Sequence, residues 1–234
     1  MVEKGIHILE NWAHKINFSA DEIDKERGVV LEELRQRQGA RQRIFEKSLP
    51  ELYKDSQYAK RLPIGKKALI SHGKHEDLVR FYRDWYRPDL MSVVAVGDFD
   101  PQQVKAYIEQ YFGPIKAQNS PIKKRTTFSI PDNNAPLMSI HTDPELTRSS
   151  LAIQIKQPLF EPQTYQAFKQ RISHQLFTAM LNSRMSELAL TSEAPMISSR
   201  ASFGRMFGNK SVFRLSGNVK PEQSKQALKS LLTE

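Results

Sequence analysis

Two glutamates, Glu26 and Glu33, stand seven residues apart in the stretch Glu22-Ile23-Asp24-Lys25-Glu26-Arg27-Gly28-Val29-Val30-Leu31-Glu32-Glu33-Leu34-Arg35. If that stretch is helical, each residue turns by about 100°, so the two carboxylates project within about 20° of one another, two turns apart. On the same wheel Val29 falls to one side and Ile23, Val30 and Leu34 to the other, which sets both acids within an apolar arc. A carboxylate drawn partly out of water must be paired, coordinated or protonated. Metal coordination is one outcome; pairing with Arg37, near the same angle, or with a basic group of another element is the other. Cysteine is absent, which excludes disulfide frameworks, thiolate zinc sites and cysteine nucleophiles and leaves histidine and carboxylates as the available metal donors.

Other donor-rich spots carry less. His72-Gly73-Lys74-His75-Glu76 has the order H-x-x-H-E, which is neither H-E-x-x-H nor H-x-x-E-H, and Gly73 reads as a helix start. His141 and Asp143 form an H-x-D pair without a third donor and read as a turn at a strand end. Gly204 and Gly208 flank Phe207 in a hairpin-turn pattern, without the strand-to-helix setting of a phosphate loop.

The elements that must position the glutamates follow from periodicity and punctuation. Val2 to Ile16 reads as an amphipathic helix with Ile6, Leu9, Trp12 or Ala13, and Ile16 on one side, so the chain opens inside a packing element and is expected to be an interior piece. Ser19-Ala20-Asp21-Glu22 has the form of a capping box, with a helix running to about Gln38 and ending near Gly39. Helices follow at about 44–53 and 75–86, the latter stopped by Pro88, then a short strand at 91–96 and a helix at 101–112. A first domain is expected over 1–118, a linker at 119–126, and a second, similar domain over 127–234, truncated at its end. In that second half strands are expected at 137–141, 151–156, 197–203 and 212–217, with helices at 163–190 and 221–232; the Leu176, Phe177, Met180, Leu181, Met185, Leu188 stripe reads as core. The expected fold class is α+β, a two-layer sandwich of largely antiparallel sheet with helices packed on one face.

The phrase Glu26-Arg27-Gly28-Val29-Val30-Leu31-Glu32-Glu33 resembles the downstream metal-ligand helix of the peptidase M16 family, the pitrilysin, insulinase and mitochondrial-processing-peptidase-like zinc metalloproteases. Two further stretches are similar to that family. Tyr58 to Gly65 resembles its proline- and glycine-bearing loop, and Phe81 to Met91 followed by Val93 to Asp100 resembles its helix–strand signature. Residues 5 to about 116 match densely, and the rest matches in layout. The resemblance implies pitrilysin-like domains, Zn2+ as cofactor, Glu33 as a zinc ligand and Glu26 as a supporting carboxylate beside it. It also implies an upstream H-x-x-E-H motif some seventy to eighty residues before the ligand glutamate, whereas 32 residues precede Glu33 here, so the motif lies outside this chain. The implied function is that of a piece of a zinc metalloendopeptidase acting on peptides or unfolded segments, inactive alone. The alternative is a non-catalytic scaffold half of such a peptidase. Implied partners are peptide substrate and the remaining halves of the same polypeptide or a homologous subunit; the location is not readable from the chain, and a periplasmic one is compatible with the resemblance to long bacterial members.

Composition adds limits. The net charge of +9 suits an anionic partner, but the basic residues are scattered among acids, and the one compact cluster, Lys123-Lys124-Arg125, is three residues long. No aromatic-and-basic interleaving accompanies them, so nucleic acid is not an expected partner. No apolar run approaches the roughly 18 residues of a spanning helix.

Overall fold

The computed structural model describes residues 1–126, 128–159 and 163–234, and the chain divides into two compact units. The first comprises Met1–Gln36 with Ile64–Thr126, the second Arg37–Pro63 with Thr127–Glu234. Thr127, the first residue of the expected second domain, lies outside the described residues.

The first unit is helical. Helices α1 (Val2–His14), α2 (Ala20–Gln36), α4 (Lys67–His72), α5 (His75–Trp85) and α6 (Pro101–Phe112) fall near their expected positions, apart from the short α4, which periodicity did not suggest. α6 starts where its sequence dictates: the Asp100 carboxylate accepts from the Gln102 and Gln103 N–H groups at 2.8 and 3.3 Å, and Pro101 occupies the first turn, where no N–H is needed. α5 stops before Pro88, and Arg87 is extended and buried there, forked onto Asp89 at 2.6 and 2.7 Å and donating to the Ser120 carbonyl at 2.8 Å. α1 buries only part of the stripe expected. Ile6 and Glu10 are its buried residues, while Leu9, Trp12 and Ile16 are exposed. The buried Glu10 carboxylate is met by Lys15 at 2.9 Å and His14 at 3.2 Å.

The strand expected at 91–96 does not form: this stretch is non-helical and unpaired among the described residues, with Val94 and Val96 81% and 92% exposed. The strand expected at 137–141 likewise finds no ladder partner there, and Met138 and Ile140 are exposed. A run of apolar residues records a preference for extended backbone, but a strand exists only where a second segment satisfies its N–H and C=O groups.

The second unit holds the sheet. Strands β1 (Ser149–Pro158), β2 (Met196–Arg205) and β3 (Lys210–Val219) form an antiparallel sheet in the order β1-β3-β2. Register places Ile153 opposite Leu215 and Leu215 opposite Ala201, and Ile155, Phe213 and Phe203 in the next such row. With side chains alternating along each strand, these residues share one face, and Gln154, Arg214 and Ser202 share the other. The apolar face is covered by α7 (Tyr165–Ala189), which packs on β2, and α8 (Ser224–Thr233), which packs on β3 and β1. Met185, Met196, Ala201, Val219, Ala227 and Leu231 form the resulting core. This is the helix-on-antiparallel-sheet layering expected of the fold class. The α7 stripe is less internal than its periodicity suggested. Met185 is 2% exposed and Leu181 packs against the core, but Leu176, Phe177, Met180 and Leu188 are exposed.

The segment 37–63 belongs to this second unit because it covers the tip of the β2–β3 hairpin. Helix α3 (Ala40–Leu52) and the 3₁₀ turn Gln57–Lys60 bring Leu49, Tyr53 and Tyr58 against Ile130, Met206 and Val212, and Phe207 stacks on Tyr58 at 5.7 Å. The hairpin turn expected around Phe207 forms between Arg205 and Lys210, with Gly208 in it and Gly204 within β2.

Candidate functional site

Helix α2 carries both glutamates, and its local stability is written in its charges. Lys25 reaches Glu22 at 2.6 Å, Arg27 reaches Asp24 at 2.8 Å and Arg35 reaches Glu32 at 2.6 Å, each pair three residues apart and so on neighbouring turns. The Arg35 guanidinium holds the Glu32 carboxyl below its ordinary range. The Ser19 carbonyl accepts the first helical bond, from the Ile23 N–H, at 3.0 Å.

What fixes α2 within its unit is Arg27, in the middle of the motif. Its side chain is 17% exposed, and while Nε holds Asp24, Nη1 and Nη2 donate to the carbonyls of Ile70 and Gly73, both at 2.5 Å. Those carbonyls lie in and just after α4, where the α4 C-terminus would otherwise leave acceptors unfilled. Gly73 is required at this approach, since a Cβ there would sit 2.6 Å from the Leu69 carbonyl oxygen. Asp24 Oδ1 also meets His75 Nε2 at 2.9 Å, and the bonds from His75 and then Arg27 hold the Asp24 carboxyl below its usual range. Arg27 was not singled out in the sequence; the signal available was an arginine set between two candidate acids, which fixes no partner by itself.

Glu26 and Glu33 therefore ride on a clamped helix. Seven residues at 1.5 Å rise separate their backbones by about 10 Å along the axis, so they occupy successive positions on one side of α2 rather than a shared point. Both are exposed, no residue of α2 is buried, and the flanking Val29 is 60% exposed while Ile23, Val30 and Leu34 are half-buried. The desolvation expected of their apolar arc is absent within this unit, so the site is a presented surface, not a closed pocket.

Zinc asks for three protein donors and an open fourth position when catalytic. A Glu33 carboxylate suits one of those places, but among the described residues no group of three His, Asp or Glu side chains could hold a metal. The other candidates are spent on structure. His72 ends α4, and His75 is paired with Asp24. His141 Nε2 lies 2.7 Å from Ser139 Oγ. Asp143 is 4% exposed and forked by Arg43, which pulls its carboxyl down to about 2.

Comparison with known proteins supplies the frame. Residues 74–234 match the family model described as the peptidase M16 inactive domain. The chain is 32% identical over 190 residues to the probable zinc protease PqqL of Haemophilus influenzae, covering 80% of this chain and 20% of that protein. It is 28% identical over 196 residues to a PQQL-like zinc protease of Arabidopsis thaliana, again 20% of its length. The chain thus spans about a fifth of the curated relatives it matches. The solved first half of the periplasmic protease PqqL from Escherichia coli superposes with a TM-score of 0.83 at 22% identity, over 99% of this chain and 49% of that one. The ferredoxin protease FusC, solved with Arabidopsis ferredoxin, gives 0.82 at 19% identity, over 99% of this chain and 26% of that one.

Proposed function

The chain belongs to the peptidase M16 family, and on that premise we propose that it is an interior piece of a zinc-dependent metalloendopeptidase hydrolysing peptides or unfolded segments. The observation that carries the reading is helix α2, tied by Arg27 to the Ile70 and Gly73 carbonyls and carrying Glu33 on its exposed surface, seven residues after Glu26. In this reading Glu33 supplies one zinc ligand, Glu26 steadies the charge beside it, and two histidines of an upstream H-x-x-E-H motif complete the shell. When bound, the metal polarises a water for attack on the scissile amide. The chain's own part is to hold one carboxylate in place, so alone it is inactive. In this reading the parent acts in the periplasm, as the protease PqqL of Escherichia coli does.

A scaffold half is the second reading, favoured by the word inactive in the description of the matched family model. That match begins at residue 74, beyond α2, so it bears on the helices and sheet that follow and leaves Glu33 outside it.

In the full-length parent, Glu33→Gln is expected to strip stoichiometric zinc and lower peptide hydrolysis by about 100-fold or more, and Glu26→Gln to cost about 10- to 100-fold. A parent that binds no zinc and hydrolyses no peptide is a scaffold, and hydrolysis that ignores Glu33→Gln overturns the ligand role of Glu33. Stoichiometric tight zinc binding by the isolated chain in calorimetry would also overturn the assignment.

A further inference from the structure

In the second unit, the first turns of α7 and the end of β2 line an open cleft of about 440 Å³, a size suited to a small ligand or a short peptide segment. Phe168, Arg171 and His174 come from successive turns of α7, and Phe203 and Arg205, two apart on β2, form the facing wall from the same side of the sheet. His174 lies flat on Phe203, ring centres 3.8 Å apart and planes within 5°, and the Arg171 guanidinium sits 5.2 Å over the Phe168 ring. Among the described residues, no acidic side chain lines the cavity. Neither arginine has an ion-pair partner among the described residues, whereas Arg35, Arg43 and Arg87 are each forked onto a carboxylate.

We propose that this cavity is a docking site for an acidic peptide segment carrying an aromatic or large apolar side chain. The aromatic wall accepts the apolar side chain, and the two guanidiniums take neighbouring carboxylates in the planar, forked geometry that arginine favours. The net charge of +9 raises the local concentration of such a segment. That the occupant is a peptide rests on the peptidase reading above; the charge and shape of the cavity stand without it. The site lies in the second unit, and Glu33 in the first.

The test is fluorescence anisotropy on the 234-residue chain, without zinc, using a labelled, amidated octapeptide of alternating Asp and Phe. A version with Lys for each Asp and a single-stranded oligo(dT) of equal charge serve as the other probes. The acidic peptide is expected to bind at least tenfold more tightly than either. Arg171→Gln and Arg205→Gln are each expected to weaken it about five- to tenfold. Arg214→Gln, the same charge change on the opposite face of the sheet, is expected to leave it within twofold. Phe168 is half exposed, so Phe168→Ala removes the aromatic wall without opening the core and is expected to cost about fivefold. Equal binding of the lysine peptide, tighter binding of oligo(dT), or an Arg214→Gln loss matching that of Arg171→Gln overturns the proposal. Because neither metal nor hydrolysis is read, such a failure leaves the Glu33 assignment standing, and failure of the Glu33 test leaves these binding ratios unchanged.

Discussion

Arg43 and Asp143, one hundred residues apart, meet through two parallel hydrogen bonds of 2.7 Å, Nε to Oδ2 and Nη2 to Oδ1. The same guanidinium donates to the Gln38 carbonyl at 2.7 Å and to Glu145 at 2.8 Å, so one side chain ties the start of α3 to the turn after 141. The pair gives a pH dependence with a definite sign. Asp143 titrates near 3.8 when unfolded and near 2 when folded, so its stabilising contribution is complete above about pH 4 and disappears as pH falls through 2. Thermal melts of the chain between pH 5 and 2 should show this loss. Asp143→Asn should lower Tm at pH 5 and flatten the dependence between pH 4 and 2; an unchanged slope would exclude the pair as its source.

Arg27 should matter more than either glutamate to the stability of the isolated chain. Arg27→Met removes three bonds and leaves the Ile70 and Gly73 carbonyls without their donor, at a cost of roughly 2–3 kcal/mol. Urea unfolding gives the size, and hydrogen exchange should show α2 amides opening faster. Exposed Glu33→Gln should stay within about 0.5 kcal/mol.

Two glycines should respond in opposite directions to alanine. Gly28 sits inside α2 with nothing within 4 Å of where a Cβ would go, so Gly28→Ala should stabilise the chain by about 0.5–1 kcal/mol through helix propensity. Gly208 turns the β2–β3 hairpin at φ +69, and a Cβ would come within 2.8 Å of the Tyr58 ring, so Gly208→Ala should cost at least about 1–2 kcal/mol. Urea midpoints that move the same way would contradict the packing described for one of them.

Along α7, Met185→Ala should cost about 2–5 kcal/mol because it empties the centre of the sheet–helix core. Met180→Ala, five residues earlier and 74% exposed, should stay within about 0.5 kcal/mol. Equal costs in equilibrium unfolding would mean that the whole stripe is buried in solution.

Several features were legible from residues alone because local chemistry sets them. The α6 start at Asp100-Pro101, the α5 stop before Pro88, and a hairpin turn around Phe207 all rest on caps, missing N–H groups and turn geometry within a few residues. The helical phase that puts Glu26 and Glu33 on one side of α2 rests on helix pitch. The helix-on-antiparallel-sheet class followed from the alternation of the two periods in the second half, and the resemblance carried by Glu26-Arg27-Gly28 and its companion stretches pointed to the family. Tertiary structure decided the rest, since the deciding partners lie far along the chain. Whether 91–96 becomes a strand depends on a ladder partner, which face of α1 is buried depends on α6, and which residues of the α7 stripe are core depends on which of them meet β2. Arg27 finds its acceptors 43 and 46 residues away, and the pairing of Arg43 with Asp143 spans 100. Periodicity records what a segment prefers, but burial and pairing belong to two surfaces at once, and a single segment specifies only one of them.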